Sequence, residues 1–330
     1  MSGPANPATS GVTQYSQVAT EIITSAFQIM GTINEDETPT AGQFKTGMRA
    51  LNAMVKEWET SGIHIWTERE AILFLQQAQV RYLLGNNSTD HCADAYSYNL
   101  TTLQFAAAAA ATSVTVVSAT GMVVGDKFGV VLDSGAAFWS TVKTIAGQVI
   151  TLNAALTSSA SDGNFVFDYT TDIVRPLRVP ASRRLQYQGL IETPMGFAPG
   201  QMLSRQEYMD LTNKNSPGTV TSAYYNPARI QGEFFVWPQP TNATNGVRFT
   251  YYRPIESFTS VDDEPDLPDE WTNCLDWNLA KELMPIYSVP AERFDRITAV
   301  AKEKLEMVQG WDREPQSIYF GRGYDATGMR

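Results

Sequence analysis

"LPDEWTNCLDWNLAKELMPIY", Leu267 to Tyr287, reads as a helix with apolar residues on nearly every side. Pro268 suits a first-turn position, where a missing amide leaves nothing unpaired. Asp269 and Glu270 complement the positive helix start, and Pro285 disrupts the far end. At about 100° per residue, Trp271, Leu275, Leu279, Leu283 and Ile286 form one stripe; Cys274, Trp277, Ala280, Met284 and Tyr287 form a second, roughly opposite. A helix with two apolar stripes has two things to bury against. Either it is a central helix wrapped by its own domain, or the second stripe faces a neighbouring subunit.

Working outward, three further stretches show helical spacing. "YSQVATEIITSAFQIM" (Tyr15–Met30) repeats at Val18, Ile22, Ala26 and Ile29, with Gly31 placed to end it. "TAGQFKTGMRALNAMVKEWETSG" opens with Thr40 and Gln43 at capping-box spacing, runs through Phe44, Met48, Leu51, Val55 and Trp58, and closes at Gly62. The short acidic link "NEDETP" between them predicts an antiparallel helical hairpin. "PAERFDRITAVAKEKLEMVQG" continues the helical pattern through Phe294, Ile297, Ala301, Leu305 and Val308 to Gly310.

Other stretches read as extended. "GIHIW" and "AILFLQQAQVRYLLG" favour strands, with Val80, Tyr82 and Leu84 alternating, over the alternative of a helix through Ile72, Leu75 and Gln79, and "NNSTDHCADAYSYN" is a polar loop. From about residue 95 to 169, "SVTVVS", "GDKFGVVLD", "FWSTVKTIAG", "QVITL" and "NFVFDY" lie between Gly and Asp turns, as in a small inserted all-β domain. Phe234/Val236 and Val247/Phe249/Tyr251 alternate on either side of a loop with Pro238, Pro240 and Gly246, which predicts a hairpin.

The expected fold class is therefore α+β: a helical-hairpin or bundle core with a small antiparallel sheet, an inserted all-β domain and an extended C-terminal arm. The expected division is 1–13 as a flexible arm, 14–94 with 170–311 as the core, 95–169 as the insertion and 312–330 as the arm. In "WDREPQSIYFGRGYDATGMR", Trp311, Ile318, Tyr319, Phe320 and Tyr324 are too aromatic for an inert tail, while Pro and Gly oppose regular structure. Such a segment suits an arm that orders on a partner, or a tail folded back on its own domain.

The bulk properties narrow the function. With 330 residues and 43% apolar content, the chain can bury sizeable cores. A net charge of −11 argues against gripping phosphate backbones, which takes Lys and Arg to release counterions. Two cysteines give no disulfide framework, "MSGPANPATSG" lacks the basic and apolar regions of a signal peptide, and no apolar run approaches the roughly 20 residues that span a bilayer. A reducing cytoplasm is the expected folding environment, and no membrane partner is expected.

Chemistry-bearing motifs are sparse. The glycine patterns of phosphate and dinucleotide loops, the zincin helix and the serine elbow do not occur. Asp90, His91, Cys92 and Asp94 gather possible ligands in one loop but fall short of a four-ligand site, and "DDEPD" (Asp262–Asp266) lacks calcium-loop spacing. His64, between two isoleucines, reads as an outward strand residue or a hydrogen-bonded core residue rather than a base. Glu57, Glu59, Glu68 and Glu70 near Trp58 and Trp66 are the candidates for a glycosidase carboxylate pair, against the plainer reading of a solvated acidic face. No cofactor, metal or catalytic residue is expected.

In order along the chain, "TEIITSAFQIMG", "GMRALNAMVKEWETSGIHIW", "RPLRVPAS", "LSRQEYMDL", "YYNPARIQGEFFVWPQP", "FTSVDDEPDLPDEW" and "LDWNLAKELMPIYSVP" resemble the head-to-tail adaptors of short-tailed bacteriophages, also called tail accessory or packaged-DNA stabilisation proteins. The resemblance covers about residues 15–85 and 170–310. It implies a non-enzymatic virion protein of the tail or neck, assembled in the host bacterial cytoplasm. It further implies a ring, typically of twelve copies, docked beneath the portal protein. Such a ring continues the channel for double-stranded DNA without sequence-specific binding, retains the packaged genome, and receives the tail nozzle or tube and the fibres or spikes.

A closed ring needs two different patches per subunit, and the second stripe of the 267–287 helix (Trp271, Cys274, Trp277, Ala280, Met284, Tyr287) is the expected inter-subunit face. The resemblance makes Trp311, Arg313, Ile318, Tyr319, Phe320, Arg322 and Tyr324 a portal-docking arm. The 95–169 insertion exceeds what the smallest such adaptors carry. Two alternatives remain: a tail-associated peptidoglycan hydrolase using the glutamates above, and a carbohydrate-binding tail component in which Trp139 of the insertion stacks on a sugar.

Overall fold

The computed structural model describes residues 15–60, 65–86, 88–196 and 201–311. The chain divides into two compact units, Met1–Trp66 with Ile255–Arg330, and Thr67–Pro254. Among the described residues there are five α-helices: α1 (Ala19–Met30), α2 (Ala41–Thr60), α3 (Arg205–Asp210), α4 (Thr272–Leu283) and α5 (Ala291–Trp311). All but α3 belong to the first unit.

In that unit α1 starts four residues later than its periodicity predicts. The Glu21 carboxylate accepts from the Val18 amide at 3.2 Å, and the amides of Ala19 and Thr20 donate to the carbonyls of Asp263 and Val261, so the otherwise orphaned first-turn donors are paired there. Gly31 ends α1 as expected, at φ 69°, a left-handed conformation that a side chain would strain. Thr40 and Gln43 form the expected reciprocal cap of α2 (2.7 and 3.4 Å). Gly47 of α2 faces Ile23: an added Cβ would stand 2.7 Å from that side chain, so glycine sets how closely the two helices approach. Gly310 does not stop α5, which continues to Trp311.

α4 lies at the centre of the helical unit, packed on α1, α2 and α5. Leu275, Leu279 and Leu283 are fully buried, and so are Cys274, Ala280 and Met284 of the other stripe. Trp271 is sandwiched between Trp58 and Trp66, with ring centroids 5.5 and 4.9 Å away. Asn278 is buried and donates to the carbonyls of Cys274 and Ala301, which ties α4 to α5.

The second unit is built from sixteen strands: β1 (Glu68–Phe74), β2 (Arg81–Leu84), β3 (Cys92–Asp94), β4 (Tyr98–Thr102), β5 (Ser113–Thr115), β6 (Lys127–Val131), β7 (Ala137–Ala146), β8 (Val149–Leu152), β9 (Phe165–Tyr169), β10 (Arg178–Gln186), β11 (Ile191–Pro194), β12 (Pro217–Gly218), β13 (Ser222–Asn226), β14 (Gly232–Trp237), β15 (Gln239–Pro240) and β16 (Asn245–Tyr252). They form a five-stranded sheet ordered β11-β10-β16-β1-β3, a three-stranded sheet β13-β14-β2, a six-stranded sheet β4-β9-β6-β7-β8-β5, and a two-residue parallel pair β12-β15. The three larger sheets are antiparallel throughout.

This corrects the expected fold class. The chain is predominantly antiparallel β-sheet, and four of its five described helices are confined to one of the two units rather than forming the body of the protein. The expected hairpin is also absent, since β14 pairs with β13 and β2, and β16 with β1 and β10. Their apolar faces meet across a sandwich instead: Phe234 and Val236 pack against Val247, Phe249 and Tyr251, with the Phe234 and Phe249 rings 5.1 Å apart. Alternation identifies the buried face of a strand, not the strand it pairs with.

The six-stranded sheet closes on itself, because Leu103 bridges Val116 and the amides of Gln104 and Val117 donate to Thr115 and Thr102. Phe128, Val130, Val142, Ile150 and Val166 fill this small barrel. Its outward residues Val131, Phe167 and Tyr169 share a second cluster with Ile72 and Phe74 of β1 and Leu185 of β10. β1 is therefore buried on both faces from Ala71 to Phe74, an apolar run with no alternation. The barrel spans the expected insertion, yet it lies inside the second compact unit and packs on the unit's five-stranded sheet.

Candidate functional site

Charge divides sharply between the two units. Thr67–Pro254 holds 13 acidic and 13 basic residues, whereas Met1–Trp66 with Ile255–Arg330 holds 22 acidic against 11 basic, so the whole net charge of −11 resides in the helical unit. Ile255 to Glu270 alone contains seven carboxylates and no Lys or Arg. Three of the seven are engaged locally. Asp263 accepts from the amides of Thr259 and Ser260 (2.6 and 2.7 Å), bonds that hold its carboxyl below the usual range; Asp266 accepts from the Glu256 amide and Asp269 from the Tyr15 amide. "DDEPD" is thus a loop-capping segment.

The stripe expected to face a neighbour is covered within the subunit. Trp271 is 4%, Cys274 1%, Ala280 0% and Met284 1% exposed, while Trp277 and Tyr287 pack partly buried on the same core, with Tyr287 edge-on to Phe27 at 5.0 Å. Four of these side chains are thus covered within their own unit, as in the reading of a central helix wrapped by its own domain, while Trp277 and Tyr287 stay partly exposed. Ile286 of the first stripe is the exposed member, at 55%. Of the expected docking arm, Arg313, Ile318, Tyr319, Phe320, Arg322 and Tyr324 lie outside the described residues, as does the side chain of Trp311. His64 and the expected N-terminal arm are outside them too.

The groups considered for chemistry are structural where they are described. His91 stacks on Trp139 (centroids 3.8 Å apart, planes at 12°), and its Nδ1 lies 2.9 Å from the Tyr169 hydroxyl, which donates to Asp172, itself paired with Lys127. Burial first, then Lys127, pushes His91 down to about 4, so it is neutral at physiological pH. Cys92 is buried in the sandwich core, and Asp90 accepts from the Leu83 amide and the Gln79 side chain. Trp139, the candidate sugar platform, has His91 against one ring face and Gly129 so close that an added Cβ would stand 2.7 Å from the indole.

The glutamates are divided as well, Glu57 and Glu59 lying on α2 and Glu68 and Glu70 on β1 of the other unit. Glu70 joins a surface network with Arg248, Glu192 and Tyr96, whose hydroxyl donates to it at 2.6 Å. Burial opposes its charge, but the bonds from Tyr96 and Arg248 outweigh that and hold it below the usual range. A residue with that environment is poorly suited to act as a general acid.

Two carboxyl groups that sequence reading passed over have unusual surroundings. Asp168, fully buried in the barrel wall, is pushed up to about 7 by burial, opposed by a bond from Asn99 and reinforced by the neighbouring, equally buried Asp126. Asp276 on α4 is pushed to about 7 by burial, with Oδ1 enclosed and without a hydrogen-bond partner among the described residues. Their only sequence signal is an acidic residue in an otherwise apolar strand or helix face.

Residues 133–313, from the barrel through the rest of the sheet unit to the end of α5, match the family described as SU10 adaptor protein. The chain belongs to this family of phage head-to-tail adaptors. None of the curated proteins matches it. The adaptor match takes in α3 to α5 and β7 to β16, but not β1, β2 and β3 of the sandwich, and it includes residues 133–169 of the barrel, so that about half of the expected insertion falls within the family pattern. It leaves out 15–85, where the resemblance in sequence also lay. As a family of structural virion components of the head-to-tail connection, these adaptors make the enzyme reading the weaker one. No helix among the described residues is long and apolar enough to cross a membrane.

Proposed function

We propose that this adaptor assembles as a ring beneath the portal, with its acidic helical units toward the DNA channel and its neutral sheet units forming the platform for tail components. The observation that carries this reading is the confinement of the entire −11 charge to one unit. A wall of carboxylates repels duplex phosphates, so DNA passes without adhering, whereas a neutral, disulfide-free β unit suits contact with other proteins. Retention of the packaged genome and attachment of nozzle and fibres follow from the ring's place in the virion. Portal docking through 312–330 rests on its sequence and the family resemblance.

The test is a phage lacking the protein. Heads are expected to fill and then lose their DNA, detected as nuclease-sensitive genome, and to carry no tails. Sealed, tailed particles formed without it would overturn the reading. Removal of residues 312–330 is expected to leave a folded subunit, by circular dichroism, that no longer cosediments with portal rings.

A further inference from the structure

Placing copies of a unit with 22 acidic and 11 basic residues side by side is opposed by like charge, so a contact between such units needs a local patch of the opposite sign. One exists on α2. Lys45 and Arg49 are two of the three basic residues in Met1–Trp66; both are exposed, and neither has an ion-pair partner among the described residues. They rim an open groove of about 360 Å³ whose apolar surface comes from Phe44, Met48 and Val261, the last 45% exposed.

The groove is preformed. Asn52 clamps the 258–261 loop to α2 by donating to the Phe258 carbonyl (3.0 Å) and accepting from its amide (2.9 Å), and Thr20 holds the Val261 carbonyl through its amide and hydroxyl. The complementary surface is on α5. Its outward face presents Met307, 61% exposed, beside the exposed carboxylates Glu303 and Glu306; Glu306 has only a loose contact, 3.7 Å, with exposed Lys302. Lys45 and Arg49 stand one turn apart and Glu303 and Glu306 nearly so, about 5–6 Å between Cβ atoms in either pair, so two ion pairs can form at once around one apolar knob.

We propose that the α2 groove receives the α5 face of a second copy, Met307 entering between Phe44, Met48 and Val261 while Glu303 and Glu306 meet Lys45 and Arg49. The two patches differ, so the contact is heterologous, as a ring requires. This inference rests on the ring reading and names the contact that closes the ring.

The test uses two full-length variants, Lys45→Glu/Arg49→Glu and Glu303→Lys/Glu306→Lys. Each should keep the wild-type circular dichroism and melting curve, yet lose assembly on portal rings by at least about tenfold, read by electron microscopy and sedimentation. An equimolar mixture should assemble, because each variant's altered patch then meets a partner of opposite sign; a folding defect would not be rescued this way. Normal assembly of the groove variant alone, or failure of the mixture, would overturn the inference while leaving the ring intact. A wild-type protein that forms no ring on its portal would overturn both.

Discussion

The helical unit and the sheet unit solve the same problem, burial of an apolar core, with opposite charge arrangements. In the sheet unit acids and bases are equal in number and many are paired across strands, as in the Arg183–Glu192–Arg248–Glu70 chain. The helical unit carries twice as many acids as bases, and several of its carboxylates are tied to backbone amides rather than to cations. Stability in the first is supplied by packing and pairing together; in the second it has to outweigh self-repulsion. Charge asymmetry between units of one chain therefore points to what each unit meets, not to how it folds.

Five experiments bear on this contrast, and the largest effects lie in the two cores. Trp271→Ala, which empties the site between Trp58 and Trp66, is expected to destabilise the isolated subunit by about 3–5 kcal/mol in urea titrations, and Phe249→Ala in the sandwich by a similar amount. A loss below about 1 kcal/mol for Trp271→Ala would return that helix face to a subunit boundary. Gly129→Ala, driving a methyl into the Trp139 indole, should cost about 1–3 kcal/mol and shift tryptophan fluorescence.

The pH dependence of the sheet unit comes next. Asp168 has a folded-state pKa near 7 against an ordinary 3.8, so the folded chain holds the proton more tightly than the unfolded one. Its favourable contribution is complete below about pH 4 and is lost as pH rises toward 7. Asp168→Asn should therefore stabilise the protein at pH 8 by about 1–3 kcal/mol relative to its effect at pH 4, measured as paired melting curves. An equal effect at both pH values would show that the burial penalty is relieved some other way. The smallest expected effect is from salt. Raising ionic strength from about 0.01 to 0.15 M shortens the screening length from roughly 30 to 8 Å, and should slow amide exchange in α2, α4 and α5 more than in β1, β14 and β16. The opposite ranking would remove the charge contrast as a determinant of stability.

Much of the helical unit was legible in the sequence because its signals are local. The Thr40–Gln43 cap, the Gly31 stop and the Ile22/Ala26 and Leu51/Val55 spacings each involve residues within one or two turns, and each is present in the structure. The twin stripes on α4 were legible too, but not what covers them; a helix wrapped by three neighbours and one shared with another subunit have the same periodicity. In the sheet unit, Phe234, Val236, Val247, Phe249 and Tyr251 were identified as inward residues, yet the two strands belong to different sheets. The strand β3 inside "NNSTDHCADAYSYN" was missed because only three residues pair, beside a β1 already buried on both faces.

The sequence by itself determined α1, α2, α4 and α5, the inward faces of β2, β14 and β16, the phage adaptor family and the amount of charge, since these depend on neighbours in the chain, on the order of its segments, or on simple counting. Only the tertiary structure decided that β-sheet dominates, that β14 and β16 meet face to face, that α4 is enclosed by its own unit, and that all of the net charge lies on one of two bodies. The reason is that strand partners and covering surfaces are chosen by contacts between residues far apart in sequence. Local periodicity fixes which side of an element is apolar and leaves open what that side will meet.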